Sequence, residues 1–196
     1  MKCPQCKGYS LEPKELEPGL VAGACAKCDG TLISLMNYRY WADQLIPSDS
    51  GREPQVSDQV LLGENEIKEV EDTSQAQVCP KCSKLMTKFQ IGLMTSNRID
   101  MCNNCDEAWL DKGEWKLLKQ LDLAEKLPKI FTEAWQRNIR LQRQAILQKE
   151  RYSALLGEED FEKLDEFKQW LVKHPEREQM KQYLIAYSSN SDLCNS

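Results

Sequence analysis

Eight of the nine cysteines fall into four C-x2-C pairs, Cys3/Cys6, Cys25/Cys28, Cys79/Cys82 and Cys102/Cys105, and this is the strongest chemical signal in the chain. Two such pairs bring four soft thiolates to one point, which suits a tetrahedral metal ion at about 2.3 Å from each sulfur. The unit C-x2-C-x18/19-C-x2-C occurs twice, offset by 76 to 77 positions, which reads as an internal duplication. In a reducing compartment paired cysteines are metal ligands or redox groups before they are disulfides. The spacing therefore predicts two Zn2+ per chain, held by Cys3, Cys6, Cys25 and Cys28 and by Cys79, Cys82, Cys102 and Cys105. A rubredoxin-like iron site uses the same four sulfurs, and thiol-disulfide exchange needs one pair with a perturbed thiolate. Neither alternative accounts for two repeated sets. Four protein ligands leave no open position for water or substrate, so the expected role of the metal is structural. Cys194 stands alone in a polar tail and reads as an incidental thiol.

The elements that must position these sulfurs are small. The spacers Lys7 to Ala24 and Ser83 to Met101 are long enough for a β-hairpin or a three-stranded ribbon, and Phe89, Ile91 and Ile99 suit strands. A unit of about 30 residues has little core, so the metal is expected to supply on the order of 10 kcal/mol of its folding free energy. After Cys105 the pattern turns helical: Asp111 is placed to cap, Glu114 to complete a capping box, and Leu110 with Trp115 to form a hydrophobic staple. This predicts a helix from Lys112 to about Lys126, a second from Pro128 to about Leu156 stopped by Gly157, a third from Asp160 to Lys173, and a fourth from Glu176 to about Tyr187. In the first copy Tyr38, Trp41 and Leu45 allow a short helix. The expected fold is a small α+β protein with two four-cysteine zinc ribbons of short antiparallel β, followed by an α-helical C-terminal half. The expected divisions are a ribbon over 1–46, an acidic linker over 47–77, a ribbon with its capped helix over 78–127, a helical region over 128–187 and a disordered tail over 188–196.

With these residues in view, the second copy resembles the bacterial zinc-ribbon family named for transcription factor IIB, whose pattern is CPxC, a spacer, then CxxCxxxWLDxGE. Cys79-Pro80-Lys81-Cys82 and Cys102 to Glu114, with Trp109-Leu110-Asp111-Lys112-Gly113-Glu114, follow it over about 40 residues. The first copy keeps Cys3-Pro4-Gln5-Cys6 and Cys25 to Gly30, but reads Leu32 to Asn37 where the second has its Trp-Leu-Asp-Lys-Gly-Glu run. The resemblance implies zinc binding and a ribbon fold. It implies no activity, and its transcription label is an analogy.

The remaining residues bound the function. A net charge of −5 and a pI near 5.1 oppose a surface built throughout for nucleic acid. Only residues 113–156 are locally basic, at +4. On a helical wheel of 126–156, Lys126, Lys129, Arg137, Arg140 and Arg151 share one face, and Leu127, Phe131, Ala134, Leu141, Ala145 and Leu156 cluster on another. That basic face is a candidate surface for nucleic acid or a protein partner, or a solvated face in which Glu133 pairs with a neighbouring cation. His174, the single histidine, sits at a predicted helix end before Pro175. No Ser-His-Asp, Cys-His or Gly-rich phosphate motif is present, which points away from an enzyme and from a small-molecule substrate. No leader precedes Cys3 and no apolar run approaches a membrane span, so the expected setting is cytoplasmic. The reading that unites these features is a zinc-binding adaptor touching transcription or translation machinery, chiefly through protein contacts. The alternatives are a redox- or metal-responsive zinc protein and a direct nucleic-acid binder through the basic helix.

Overall fold

The computed structural model describes residues 1–45 and 73–190, the last four as backbone only. It is a mixed α+β structure with one antiparallel sheet and six helices among the described residues. The strands are β1 (Leu11–Glu17), β2 (Leu20–Cys25), β3 (Thr31–Ser34), β4 (Thr87–Gln90), β5 (Arg98–Cys102) and β6 (Glu107–Leu110). The helices are α1 (Leu35–Leu45), α2 (Glu114–Gln120), α3 (Leu127–Ile130), α4 (Glu133–Leu156), α5 (Glu158–Lys173) and α6 (Arg177–Asn190). The chain divides into two compact units, 1–143 and 144–196.

In the first unit the sheet runs β1-β2-β3-β6-β5-β4. Each set of three strands is a meander followed by a helix, and the two sets join where β3 lies antiparallel to β6. The register of that join is Thr31 with Leu110, Leu32 with Trp109, Ile33 with Ala108 and Ser34 with Glu107. Leu32 follows Cys28 by four residues and Trp109 follows Cys105 by four, so the pairing is centred on two residues in equivalent places. An approximate two-fold axis passes between them.

Strand alternation then sorts the side chains. Ile33, Ala108 and Leu110 point to one face, where with Leu35, Tyr38 and Trp41 of α1, Leu117 and Leu118 of α2, Leu127 and Ile130 of α3, and Trp135 and Ile139 of α4 they form the main core. Leu32 and Trp109 point to the other face, among the cysteines. The helices of the two sets are also tied to each other: the Tyr38 hydroxyl donates to the Ala124 carbonyl at 2.7 Å and accepts from the Leu127 N–H at 3.1 Å, and the Trp41 and Trp115 rings lie 6.1 Å apart. Both sheet edges are protected. β1 carries Pro13 and the charged Glu12, Lys14, Glu15 and Glu17, and the backbone N–H and carbonyl of Gln90 on β4 are both engaged by the Gln136 side-chain amide of α4.

Several predicted boundaries change. Asp111 does not cap α2; its carboxylate accepts from the Trp109 indole N–H at 2.9 Å and from the Thr73 N–H at 2.8 Å. Only the return half of the capping box forms, Glu114 accepting from the Asp111 N–H at 2.8 Å, and Gly113, at φ 86°, becomes the residue before the helix. The buried Trp109 indole N–H needs an acceptor, and the Asp111 carboxylate supplies it. α2 ends at Gln120 rather than Lys126, because Asp122 takes a left-handed conformation (φ 53°) and the Leu123 N–H reaches back to the Leu118 carbonyl at 2.8 Å, a Schellman stop. The predicted helix over 128–156 is two helices, α3 and α4, with Thr132 between them accepting from the Trp135 N–H at 3.3 Å. Thr73 and Gln77, within the predicted linker, are anchored on the second strand set, and Gln77 is buried; residues 46–72 lie outside the described residues.

In the second unit, the end of α4 is followed by α5 and α6. Gly157, at φ 81°, separates α4 from α5 where the sequence reading placed the stop, and His174 is extended before Pro175. Leu171 is the only buried side chain of this unit among those described. α6 continues to Asn190, three residues into the predicted disordered tail, and 191–196, with Cys194, lie outside the described residues. No helix among the described residues is long and apolar enough to cross a membrane.

Candidate metal centres

Each C-x2-C pair folds into the same tight turn. The N–H of the residue after the second cysteine donates to the carbonyl of the first: Lys7 to Cys3, Asp29 to Cys25, Ser83 to Cys79 and Asp106 to Cys102, all at 2.8–2.9 Å. That residue is left-handed every time, with φ of 52° at Lys7, 54° at Asp29, 60° at Ser83 and 57° at Asp106. Two of the four are Asp, which tolerates this region better than most side chains. The turn points both sulfurs of a pair to one side and exposes backbone N–H groups to them; the Cys6 N–H lies 3.2 Å from the Cys3 sulfur.

Strand pairing then brings the turns together in twos. The sulfurs of Cys3, Cys6, Cys25 and Cys28 all lie within 4.8 Å of one another, and so do those of Cys79, Cys82, Cys102 and Cys105. Cys3 and Cys28 are 3.6 Å apart at sulfur, and Cys82 and Cys102 are 3.5 Å apart. A tetrahedron with metal–sulfur bonds of 2.3 Å has edges of about 3.8 Å, whereas a disulfide needs about 2.05 Å. These eight cysteines are free thiols. The donor sets therefore fit two metal ions, one in each. The first cysteine of every pair is buried and the second half-buried, so one side of each site is walled by protein and the other lies near solvent.

Burial and hydrogen bonding pull the thiols of each set in opposite directions. Burial pushes the Cys3 thiol up against the pull of the Cys6 and Gln5 N–H groups, pushes Cys79 up to about 12, and raises Cys28 strongly. Cys105 is raised by its contact with the Cys82 sulfur. One thiol in each set goes the other way, to about 7. At Cys25 burial opposes ionisation, but the Cys28 and Lys27 N–H groups and the neighbouring sulfurs outweigh it. At Cys82 the Lys84 N–H is the main cause. Thiolate is the metal-binding form of cysteine, so metal binding releases protons and its affinity rises with pH.

The two sites share a wall. Leu32 and Trp109, side by side across the β3–β6 join, pack with Cys3, Cys25, Cys79, Cys102 and Met86 in one apolar cluster. Trp109 is fully buried, and its ring lies flush against Gly30: a Cβ at Gly30 would come within 2.2 Å of the ring. Ion pairs flank this join on either side, Arg39 with Asp106 and Lys112 with Asp29. Below it, Glu17 of β1 accepts from the Trp115 indole at 3.0 Å and pairs with Lys119 at 2.6 Å. Gly30, Leu32 and Arg39 are functional in this sense and were not singled out from sequence; the signal for Leu32 is its place four residues after Cys28, matching Trp109 after Cys105.

The candidate basic residues do not share one helix. Lys126 precedes α3 and Lys129 lies within it, both half-buried, whereas Arg137, Arg140 and Arg151 are exposed on α4. Arg140 pairs with Glu133. The apolar face expected beside them is displaced: Leu127 is buried and Phe131 half-buried, but Ala134, Leu141, Ala145 and Leu156 are exposed, and Trp135 and Ile139 take the buried positions of α4. The turn at 131–132 resets the register, and Trp135 anchors the new one by donating its indole N–H to the Ile91 carbonyl at 3.2 Å. His174 accepts from the Glu176 N–H at 3.1 Å, and its ring lies 5.5 Å from that of Trp170, tilted by 52°. No family model, no curated protein and no solved structure matches this chain.

Proposed function

We propose that the two strand sets are duplicated zinc ribbons of the kind named for transcription factor IIB, each holding one structural Zn2+, in a non-enzymatic cytoplasmic adaptor that contacts protein components of the transcription or translation machinery. The observation that carries the zinc reading is the pair of closed four-sulfur sets, each spaced for a tetrahedral ion and offering it no ligand vacancy for substrate. The ions hold the turns, the turns hold the strands, and the shared sheet presents the outer surfaces. Support for the adaptor role comes from those surfaces: Met36 and Tyr40, one turn apart on α1, are 70 % and 71 % exposed, and the second unit leaves most of its large apolar side chains uncovered. The acidic total favours protein over bare nucleic acid.

The test is affinity capture from the cell of origin with tagged full-length protein, with and without nuclease, alongside a Met36→Glu, Tyr40→Glu variant. Transcription or translation proteins retained after nuclease and lost in the variant are the expected result. Capture that vanishes with nuclease, or a steep salt-dependent affinity for nucleic acid alone, contradicts the adaptor reading.

A further inference from the structure

The two four-sulfur sets are alike in their sulfurs and unlike in what spans their turns. In the second set the Lys81 ammonium, inside the Cys79–Cys82 turn, pairs at 2.9 Å with the buried Glu107, two residues past Cys105. Beside it the Lys84 ammonium donates to the Asn104 side-chain oxygen at 2.7 Å, and the Asn104 amide nitrogen lies 3.7 Å from the Cys105 sulfur. Both contacts tie one C-x2-C turn to the other. In the first set Gln5 stands at the place of Lys81, and Gly30, with no side chain to answer it, at the place of Glu107. Lys27 stands at the place of Asn104, which removes the amide beside a ligand sulfur; its ammonium lies over the Tyr9 ring at 5.2 Å. A cation–ring contact between exposed side chains is weaker than a charge-assisted hydrogen bond to a buried carboxylate. The second turn of the first set is steadied from outside instead: Gly30 lies flush against Trp109, and Asp29 pairs with Lys112 at 3.3 Å. Trp109 is fixed within its own set, its indole N–H held by Asp111.

We infer that metal enters the second set first and leaves it last, with Lys81 and Glu107 as the positioning residues that set this order. Turns already tied by side chains lose less freedom when an ion closes them, and such preorganisation tightens binding. The first set assembles on the result: a loaded second set fixes β6 and Trp109, against which β3 pairs and Gly30 seats. Coupling between two sites is mutual by linkage, so the order comes from their unequal holds when each is alone. The first set, the weaker, empties without its neighbour. The second stays filled without the first. The inference rests on the reading of both sets as metal sites.

Zinc release from the full chain into an excess of a chromogenic chelator tests it, with native mass spectrometry to count ions and alkylation of unliganded cysteines to locate them. Two phases are expected, separated by roughly ten- to a hundredfold, the range over which groups around metal ligands alter affinity. Between them a species should appear with one ion, held by Cys79, Cys82, Cys102 and Cys105. Cys25→Ser with Cys28→Ser is expected to keep one ion and release it at the slow rate. Lys81→Gln keeps all eight ligands and is expected to speed the slow phase about tenfold while leaving the fast one alone; Lys81→Arg, which still pairs with Glu107, is expected to restore it. A general loss of stability would move both phases. Release in one phase, a one-ion species filled at the first set, a Cys25→Ser, Cys28→Ser chain that holds no ion, or a slow phase indifferent to Lys81→Gln overturns the inference while the two metal sites stand. Fewer than two ions at the start overturns the metal reading itself, and this inference with it.

Discussion

The two strand sets of the first unit are built on the same four turns, yet they differ where they meet. The second set places Trp109 at the join and ties its indole to Asp111, with a Gly113 turn before α2. The first set places Leu32 there, keeps Gly30 bare beneath the Trp109 ring, and passes from β3 into α1 without an intervening residue. One set supplies bulk and the other supplies room. The lesson is that two sequences with the same ligand spacing are not interchangeable modules: the divergence of the first from the second is what lets both pack on one axis. Two equal tryptophans at the centre have no space, and two equal leucines leave a void between the metal sites.

That comparison can be broken in graded ways. The largest effect is expected from Cys102→Ser, which opens the second site and removes a contribution on the order of 10 kcal/mol. Because Cys102 lies in β5 and its set shares the sheet with the first, both halves should lose cooperative unfolding, measured by circular dichroism against urea together with zinc content. Trp109→Ala comes next, at about 3–5 kcal/mol, and it should weaken metal retention at Cys3, Cys6, Cys25 and Cys28 although it lies in the other set; a chelator competition on each site reads this. Gly30→Ala forces the ring aside and should cost about 1–3 kcal/mol. The same change in a Trp109→Leu background should cost much less, and additive effects in that double-mutant cycle contradict the close approach.

The smallest effect concerns pH. The Lys119 ammonium and the Trp115 indole hold the Glu17 carboxyl below its ordinary value of 4.5. A depressed folded value means the contact stabilises above the unfolded value and is lost as pH falls through the lower, folded one. Glu17→Gln should therefore lower stability slightly at neutral pH and converge with wild type in acid, as followed by thermal unfolding of both proteins across that range.

Much of the candidate site was legible because its determinants are local. Ligand spacing is written in the chain, and the turn after each pair is a four-residue event. The join was not legible, since nothing in TLIS or EAWL says which edge each strand will seek; hydrogen bonding between backbones carries no residue signature. Asp111 was misjudged because the capping-box pattern does not register two rival claims on that carboxylate, the Trp109 indole two residues before it, which needs an acceptor only because the fold buries it, and the Thr73 N–H, which is distant in sequence. The end of α2 hid behind Asp122, a left-handed stop without the usual glycine. The break before α4 hid behind Thr132, a cap in a stretch whose apolar spacing continues through it. The buried stripe of α4 followed the two large side chains, Trp135 and Ile139, that had a sheet edge to cover.

The central claim is that two ions, one in each four-sulfur set, hold a single sheet together. Stepwise chelation of protein purified without added metal, with zinc released and tryptophan emission followed in the same sample, tests it most directly. The account predicts two zinc ions per chain and loss of the buried Trp109 environment as they leave. Fewer than two ions, or an emission spectrum unchanged after both are gone, contradicts it.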